Sequence, residues 1–549
     1  MIILETIIFI LLSSILFISS AGYGKTIFQR YSSNIILSFF LGLIILSLLL
    51  TSLHFLMKIN IYINFFVILI GLILFLNKTK LSSLRIVKKE KFIFFLVLTL
   101  LIPIFLTQKY HEDFGYYHLP YLISFAEQKI IFGLANSNPA YTHNSLWLNV
   151  IGILFLPNNN FNFVTIPTFL VYLGFIFFCL EKILEFSEKK ISNYFLIVSL
   201  FYFILKFTRL SEYGNDLPSN VFSILSIFYF LKFSETNQTK EQKNIFFFHI
   251  IFTVFAILIK FSCIPIIILS IYLFIKNYEK LAKEIFRKEF ILIYVLSLLF
   301  FIQQFFYTGC LIFPSKFSCL NVSWFNEEFL LMRENLELTN KSFSSSRGLV
   351  PREDYLANFN WFPFWLKRNY PEILEHVFTM IIPIILLFSF SKKDRNKNYF
   401  KFNNQKIFVF FLIASFIFWL RFSPVYRFSI PYFLSLIFII TLSFYRYKEF
   451  SKKTFIFIFF IAIVFNFSKN ISRLYKKDDI FFGIEKINNG FLVVQSSNND
   501  FIEVNKPDTK NNKTGWQGRL CWDIPFLCTY REIKVNKKNG YLFFSKLKN

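Results

Sequence analysis

The sequence predicts an all-α polytopic membrane protein with about fourteen transmembrane helices, long extracytoplasmic loops and a small C-terminal α+β soluble tail. Hydrophobic residues make up 55% of the 549 residues and charged residues only 17%, a composition too apolar for a soluble enzyme. Apolar runs of about 17–25 residues recur along the chain, and each can cross a bilayer core of about 30 Å. Lysine and arginine concentrate in alternate loops between these runs, which is the pattern of cytoplasmic loops.

The fourteen predicted spans follow the apolar runs, with boundaries defined to within a few residues. The first run, Met1–Ser20, has no basic start and is predicted to be a span rather than a cleavable signal peptide. Several runs are shorter than about 20 residues, so these helices must tilt little or thin the bilayer. The predicted spans are 2–20, 34–53, 61–76, 92–107, 161–180, 194–208, 217–231, 245–259, 262–275, 290–308, 373–391, 407–420, 428–445 and 454–468.

The positions of the basic residues predict which loops lie outside the cytoplasm. Loop 77–91 holds six lysines and arginines, and later alternate loops are similarly basic, whereas 108–160 has only Lys109 and Lys129. We therefore expect 108–160 and 309–372 to be extracytoplasmic. The net charge of +26 does not indicate a nucleic-acid partner, because most basic residues fall in short loops between spans. Three helical hairpins are each predicted to cross the membrane to the outside and return: 194–231, 245–275 and 407–445.

Four of the six cysteines form two close pairs in segments assigned outside, Cys310 with Cys319 and Cys521 with Cys528. Such pairs are typical of disulfides in an oxidising compartment. A metal site is the alternative, although no CxxC spacing or histidine cluster accompanies the pairs, and free thiols remain a further alternative.

The polar C-terminal segment after Ser468 is predicted to be a small soluble unit with short strand-like runs, Phe491–Gln495 and Tyr541–Ser545. The span count places it outside. Lys469 and Arg473 follow the last span directly and would favour the cytoplasm. We place the tail outside because its cysteine pair suits an oxidising compartment.

The first long polar segment opens with the richest group of reactive side chains. Glu112 and Asp113 are adjacent, and Tyr117 and His118 follow within five residues. Acidic groups at a membrane surface are candidates for catalysis or substrate binding. The alternative for Asp113 is a plain N-cap of a helix over Tyr116–Lys129. Segments 116–133 and 145–156 are apolar enough to be interfacial helices lying along the membrane.

The outer turns of the three hairpins carry the other ionisable candidates. A charge at bilayer depth costs several kcal/mol, so such residues usually face a cavity or each other. The alternative for the basic side chains, above all Lys260 and Arg427, is that they extend to the membrane interface. The candidates are Glu212, Asp216, Lys260, Arg421 and Arg427.

Together these residues suit the transfer of a sugar from a lipid-phosphate carrier. Lysine and arginine would neutralise the departing phosphate, and a carboxylate would remove the proton of an acceptor hydroxyl. Trp361 and Trp365 in the second long loop could stack on sugar rings, although tryptophans of the membrane interface are an equally good interpretation.

Three motifs extend this interpretation to a resemblance. Glu112–Pro120, Glu212–Asp216 and Cys521–Cys528 are similar to an uncharacterised bacterial family of multi-pass proteins with GT-C-like organisation. The order of acidic first loop, acidic later turn and basic turns resembles the GT-C membrane glycosyltransferases. That resemblance implies a polyprenyl-phosphate-linked sugar donor and an envelope glycan, lipid or protein acceptor on the extracytoplasmic face of the bacterial inner membrane.

The resemblance also implies roles for individual residues. Asp113 would be the catalytic base with Glu112 as its substitute, while Tyr117 and His118 would contact substrate. Glu212 and Asp216 would position the acceptor or a divalent cation, Mg or Mn, for which Asp113 and Asp216 are the candidate ligands.

A GT-C core has one span before its first outer loop, so the resemblance divides the chain into three regions. An N-terminal addition of three spans occupies 1–91, a GT-C-like core with its outer loops occupies 92–468, and the soluble tail occupies 469–549.

Two other function classes remain open. A transporter or flippase of a lipid-linked sugar would place ionisable groups near the middle of the membrane, with broken helices and internal repeats. A non-catalytic envelope scaffold would use the cysteine-bearing loops as its binding surface. The sequence has no P-loop, HExxH motif or GxSxG motif, so it gives no support to soluble-type nucleotide hydrolysis, metalloprotease or serine-hydrolase chemistry.

Overall fold

The structure is a computed structural model, and most of the chain that it describes is helical. The described residues are 2–29, 31, 34–78, 88–106, 113–155, 161–185, 190–207, 214–393, 402, 404–449, 452–476, 521, 526, 528–529 and 533–546. Of these residues, ten helices are long and apolar enough to cross a membrane. They are α1 (Ile2–Ile27), α2 (Ile35–Leu56), α3 (Ile61–Lys78), α8 (Ile166–Leu184), α10 (Asp216–Glu235), α11 (Thr239–Ile259), α14 (Lys288–Thr308), α17 (Phe362–Ser389), α18 (Gln405–Phe422) and α20 (Lys452–Lys476).

The remaining helices are shorter. Four of them coincide with predicted spans: α4 (Lys88–Leu101), α9 (Ile191–Lys206), α12 (Ile267–Lys276) and α19 (Ile430–Tyr447). A multi-pass membrane protein is therefore confirmed, and the count of fourteen stays a prediction. The other short helices are α5 (Pro103–Leu106), α6 (Leu119–Glu127), α7 (Leu146–Ile151), α13 (Tyr278–Leu281), α15 (Glu328–Asn340) and α16 (Arg352–Tyr355).

Helices α1, α2 and α3 pack so closely that glycine is required at their crossings. A Cβ atom on Gly42 would lie 1.7 Å from the carbonyl oxygen of Ser20, and one on Gly22 would lie 2.0 Å from that of Gly71. Small residues let membrane helices approach closely, where packing and not the hydrophobic effect holds them together. These three helices also share one hydrophobic core with the rest of the bundle.

Several helix ends that border the lysine-rich loops meet at one end of the bundle. Lys452 at the start of α20 donates to the carbonyl of Leu184 at the end of α8, over 2.7 Å. The carboxylate of Glu235 at the end of α10 accepts from the backbone and hydroxyl of Ser192, and so caps α9. The two short strands β1 (Lys392–Lys393) and β2 (Lys448–Glu449) pair there as well. This arrangement agrees with the alternation of basic loops in the sequence.

The C-terminal hairpin packs at the opposite end, on the first long loop. Its strands β3 (Ile533–Lys538) and β4 (Tyr541–Lys546) are antiparallel. The backbone N–H of Phe132 donates to Leu542 over 2.9 Å, and that of Phe544 donates to Phe132 over 2.8 Å. The Asn136 amide donates to Phe544 and to Trp324 of the second long loop, over 2.9 Å each. The hairpin therefore lies at the same end as both long loops.

The strand predicted at Tyr541–Ser545 is confirmed, whereas Phe491–Gln495 lies outside the described residues. Both predicted disulfides are present, Cys310–Cys319 and Cys521–Cys528. Cys179 and Cys263 are buried thiols.

Segments 116–133 and 145–156, predicted to be interfacial helices lying along the membrane, are helical only in part. The first segment forms a π-helix over Phe114–His118 followed by α6, and the second forms α7 followed by a 3₁₀ turn. Nearly all residues of α6 and α7 are buried in protein. Both helices contribute to a buried polar network that holds them inside the protein. Its members, which hydrogen-bond to one another between α6, α7 and α14, are Tyr121, Asn149, Gln303 and Tyr307. Polar groups buried away from lipid need such partners.

Candidate functional site

Three ionisable side chains from three separate turns meet at the end of the bundle that carries the long loops. The Asp216 carboxylate accepts from the Lys260 ammonium on one oxygen, and its other oxygen lies 3.0 Å from Nε of Arg427. The expectation that charged side chains on the outer turns face one another is met by these three residues. They are called the Asp216 cluster below.

Each member of the cluster stands where a helix begins or ends. Asp216 is the first residue of α10, where the partial positive charge of the helix N-terminus favours a carboxylate. Lys260 caps the end of α11 in an extended conformation, and a 3₁₀ turn over Phe261–Ile266 follows it. Arg427 lies in the short turn between α18 and α19. The cluster is thus formed from helix ends that only the tertiary fold brings together.

The cluster is paired but remains accessible to water. Its side chains retain 29% exposure at Asp216, 22% at Lys260 and 44% at Arg427. Burial lowers the pKa of Lys260, and the neighbouring Asp216 carboxylate opposes that shift. The Lys260 ammonium also lies 3.3 Å from the centre of the Phe428 ring. Two cations therefore meet at one carboxylate, an arrangement that suits an anionic ligand.

Buried tryptophans hold the turn that carries Arg427. The indole N–H of Trp365 donates to the carbonyl of Pro424 over 2.7 Å, and that of Trp419 donates to Val425 over 2.9 Å. The next residue, Tyr426, lies with its ring 4.0 Å from that of His376. Each residue from 424 to 427 therefore contacts a residue outside the turn.

The structure does not support the sugar-stacking role predicted for Trp361 and Trp365. Each is only 3% exposed, in an aromatic cluster with Tyr355 and Trp419. The ammonium of Lys341 lies 4.7 Å from the centre of the Trp361 ring. Trp361 and Trp365 pack against other protein segments. Because both rings are buried in protein, they do not form a belt of tryptophans at the membrane interface.

Arg421 belongs to a second ion-pair group at the other end of the same turn. Its Nη1 lies 2.5 Å from a carboxylate oxygen of Glu337, and the Lys341 ammonium reaches the same oxygen over 2.5 Å. Lys341 is almost fully buried. This group ties the loop helix α15 to the end of α18, and no local sequence pattern indicated it.

The acidic motif of the first long loop is described from Asp113 onward. Asp113 is half-buried and precedes the π-helix Phe114–His118 with αR backbone angles and no side-chain capping bond, so the N-cap interpretation is not supported. His118 is buried and its ring lies 4.1 Å from that of Tyr117. The hydroxyl of Tyr141 donates to the Tyr117 carbonyl over 3.3 Å. Glu112 and Glu212 lie outside the described residues.

His143 was missed by the sequence interpretation. It is exposed in the first long loop, and its ring lies 6.0 Å from that of Phe313 in the second long loop. A lone histidine in a polar loop is the one signal that the sequence offered.

The residues of the cluster do not fit a divalent cation as they stand. Both oxygens of Asp216 are engaged by basic side chains, which would repel a metal ion. In the described part of the chain, no group of three histidine, cysteine, aspartate or glutamate side chains could hold a metal.

Comparison with known proteins gives a family. No curated protein and no solved structure matches the chain. A family model described as a domain of unknown function, DUF8201, matches residues 3–434. The match covers the acidic motif, all three members of the Asp216 cluster and His143. The chain belongs to the DUF8201 family.

Proposed function

We propose that the protein is a membrane glycosyltransferase that uses a polyprenyl-phosphate-linked sugar at the extracytoplasmic face of the bacterial inner membrane. The observation that carries the proposal is the Asp216 cluster, in which two cations share one carboxylate. Two cations at one point suit the negative charge of a phosphodiester donor. The position of the cluster at helix ends suits a phosphate head group, whose lipid chain stays in the bilayer.

The proposed reaction needs a cation at the phosphate and a base at the acceptor. The acceptor hydroxyl attacks the anomeric carbon, the bond from that carbon to the phosphate oxygen breaks, and the phosphate leaves with the electron pair. Lys260 and Arg427 would stabilise the charge that develops on the leaving phosphate. Asp113 is the proposed base that takes the hydroxyl proton, and the acceptor is an envelope glycan, lipid or protein.

A flippase for the same lipid-linked sugar is the second candidate, because a buried polar group lies within the bundle. His249 on α11 is fully buried, and its two ring nitrogens contact Ser226 of α10 and Ser270 of α12, over 2.9 Å each. Ionisable residues inside membrane spans often mark transport pathways. The Asp216 cluster would then bind the head group before it crosses.

Release of free polyprenyl phosphate tests the proposal without knowledge of the acceptor. Purified protein in bilayer nanodiscs receives a panel of labelled polyprenyl-phosphate hexoses and native membrane extract, and labelled sugar transferred and carrier released are both measured. We expect Lys260→Gln and Arg427→Gln to lower release at least about tenfold.

Arg352→Gln is the matched control, because Arg352 is an exposed arginine on the second long loop that pairs with Glu334. Its activity should equal that of the wild type. Movement of the labelled lipid across proteoliposomes without carrier release would select the flippase. Full transferase activity in both cluster variants would exclude the proposed role of the cluster.

A further inference from the structure

The loop closed by the Cys310–Cys319 disulfide presents large apolar side chains on its surface. Phe317 is fully exposed, and its apolar neighbours in the loop or just after it retain 42–56% of their surface. These neighbours are Leu311, Ile312 and Leu320. Phe313, by contrast, is buried and packs edge-on against the ring of His143 in the first long loop. One side of the loop is therefore packed on protein, and the exposed apolar groups gathered on its remainder indicate a contact surface.

Contacts near the end of α14 place this loop at the edge of the bilayer. Phe306, in the last turn of α14, has its ring 5.5 Å from that of Phe55 near the end of α2. Both helices are long and apolar enough to cross a membrane, so these two rings mark the level at which two spans leave the apolar layer. At that level the indole N–H of Trp324 donates to the carbonyl of Phe305 over 3.2 Å, and tryptophan is typical of the membrane interface.

The chain between α14 and the loop is too short to carry the loop far from the membrane. Leu311 follows Phe306 closely in the chain, and five residues span at most about 17 Å when fully extended. The true separation is shorter, because Gly309, with a φ of 82°, ends the helix in the left-handed conformation and turns the chain away from the helix axis. The polar head-group layer is itself about 5–8 Å thick on each side of the bilayer. The exposed side chains of the loop consequently lie within reach of lipid.

The backbone of the loop suits surroundings that are poor in water. The N–H of Leu311 donates to the carbonyl of Ser318 over 3.0 Å, and the N–H of Ile312 donates to the hydroxyl of Ser318 over 2.9 Å. The same hydroxyl lies 2.8 Å from the carbonyl oxygen of Ile312, and Pro314 has no N–H. Backbone groups without a partner are costly where water is scarce. Because this loop binds its own polar groups in this way, it can lie at the boundary between head groups and acyl chains.

We propose that the Cys310–Cys319 loop is a membrane anchor, and that its exposed apolar side chains, above all Phe317, insert among the lipids of the leaflet on the side of the long loops. The partner is the lipid surface and not another protein, because the loop adjoins two membrane spans at the level where they end. Lys316 beside Phe317 pairs with Glu327 over 3.1 Å, and both are mostly exposed. This charged pair can stay in water while the aromatic ring enters lipid. An anchored loop would also hold the first long loop, on which it packs, at the membrane surface.

Photo-crosslinking from the loop tests this anchor directly. Benzoylphenylalanine, which reacts on illumination with C–H bonds that it touches, replaces Phe317 in the full chain, and the protein is illuminated in nanodiscs of phosphatidylcholine and phosphatidylglycerol. Mass spectrometry of the intact protein measures the lipid adduct. The same replacement of Leu298, exposed on α14, is the lipid-facing reference, and that of Lys537, exposed on the C-terminal hairpin, is the water-facing control. We expect a lipid adduct at Phe317 similar to that at Leu298 and at least about fivefold above that at Lys537.

The result at Phe317 decides between lipid, water and protein as its surroundings. A lipid adduct as small as that at Lys537 would place the ring in water and overturn the anchor. Illumination of native membranes, run in parallel, would overturn it as well if Phe317 formed a cross-link to a second copy or another protein in place of lipid. Replacement of Leu320, exposed at the end of the same loop, repeats the measurement at a second position. The inference is independent of the glycosyltransferase proposal, and neither result would bear on that proposal.

Discussion

Trp365 and Pro424 are joined by an indole N–H that donates to a backbone carbonyl over 2.7 Å, and the turn fixed by this bond carries Arg427 three residues later. Trp419 makes the equivalent bond to the next carbonyl. A buried tryptophan on α17 and another on α18 therefore determine where an arginine meets Asp216. The electrostatic cluster depends on aromatic packing for its geometry.

Replacing Trp365 with phenylalanine keeps a large ring but removes the donor to Pro424. Loss of this buried hydrogen bond costs about 1 kcal/mol or more and loosens the turn. We expect the affinity for methyl farnesyl phosphate, a short phosphodiester analogue of the proposed donor, to fall about fivefold, while the protein still folds. Trp324→Phe is the control, because Trp324 also donates to a carbonyl, that of Phe305, near the C-terminal hairpin. Equal losses in the two variants would mean that the effect is only on stability.

Asp113→Asn should reduce carrier release by at least about a hundredfold, because an amide cannot accept the proton of the attacking hydroxyl. Binding of methyl farnesyl phosphate should be unchanged, which separates the base from the phosphate site. Asp354→Asn, at an exposed acid of the second long loop, is the control. A variant at Asp113 that transfers sugar at the wild-type rate would remove this residue from the mechanism.

Gly42→Val should destabilise the bundle, because even a Cβ atom would lie 1.7 Å from the Ser20 carbonyl oxygen. Overpacking of this kind costs about 1–3 kcal/mol, and α1 and α2 would have to separate. Thermal unfolding in detergent measures the loss. Ile73→Val on the exposed face of α3 is the comparison and should unfold like the wild type. An unchanged unfolding temperature for Gly42→Val would contradict this close packing.

The position of the C-terminal hairpin gives a test of topology. Lys537→Cys lies on the hairpin, at the end of the bundle with the long loops, and Lys280→Cys lies among the lysine-rich loops at the other end. We expect a membrane-impermeant thiol reagent to label Lys537→Cys in intact spheroplasts and to label Lys280→Cys only after lysis. The reverse pattern would place the long loops and the Asp216 cluster in the cytoplasm.

The sequence indicated that Asp216, Lys260 and Arg427 face a cavity or each other, because an isolated charge at bilayer depth is costly, and it left open that the two basic side chains extend to the interface. The structure pairs these three residues. The sequence also predicted the disulfides and the strand at the C-terminus. It could not assign the tryptophans correctly, since a donor on α17 finds its acceptor 59 positions later.

Asp216→Asn is expected to strengthen anion binding. In the wild type the carboxylate occupies the position between Lys260 and Arg427, and a phosphate must compete with it for both cations. Removing that negative charge makes the cluster more positive by one, which should tighten binding of methyl farnesyl phosphate by about three- to tenfold at low salt. This gain in affinity should shrink as ionic strength rises, because Lys260 and Arg427 are partly exposed to water and salt screens their charges.

Carrier release by Asp216→Asn should nevertheless fall, because cations that hold the product phosphate too tightly slow its departure. The affinity is measured by calorimetry at two salt concentrations, together with the rate of carrier release. These measurements distinguish slow product departure from simple loss of structure. Asp354→Asn again supplies the comparison, since it removes one negative charge from the same end of the protein without touching the cluster. Weaker binding in Asp216→Asn would show that the carboxylate positions the two cations for the ligand and does not compete with it.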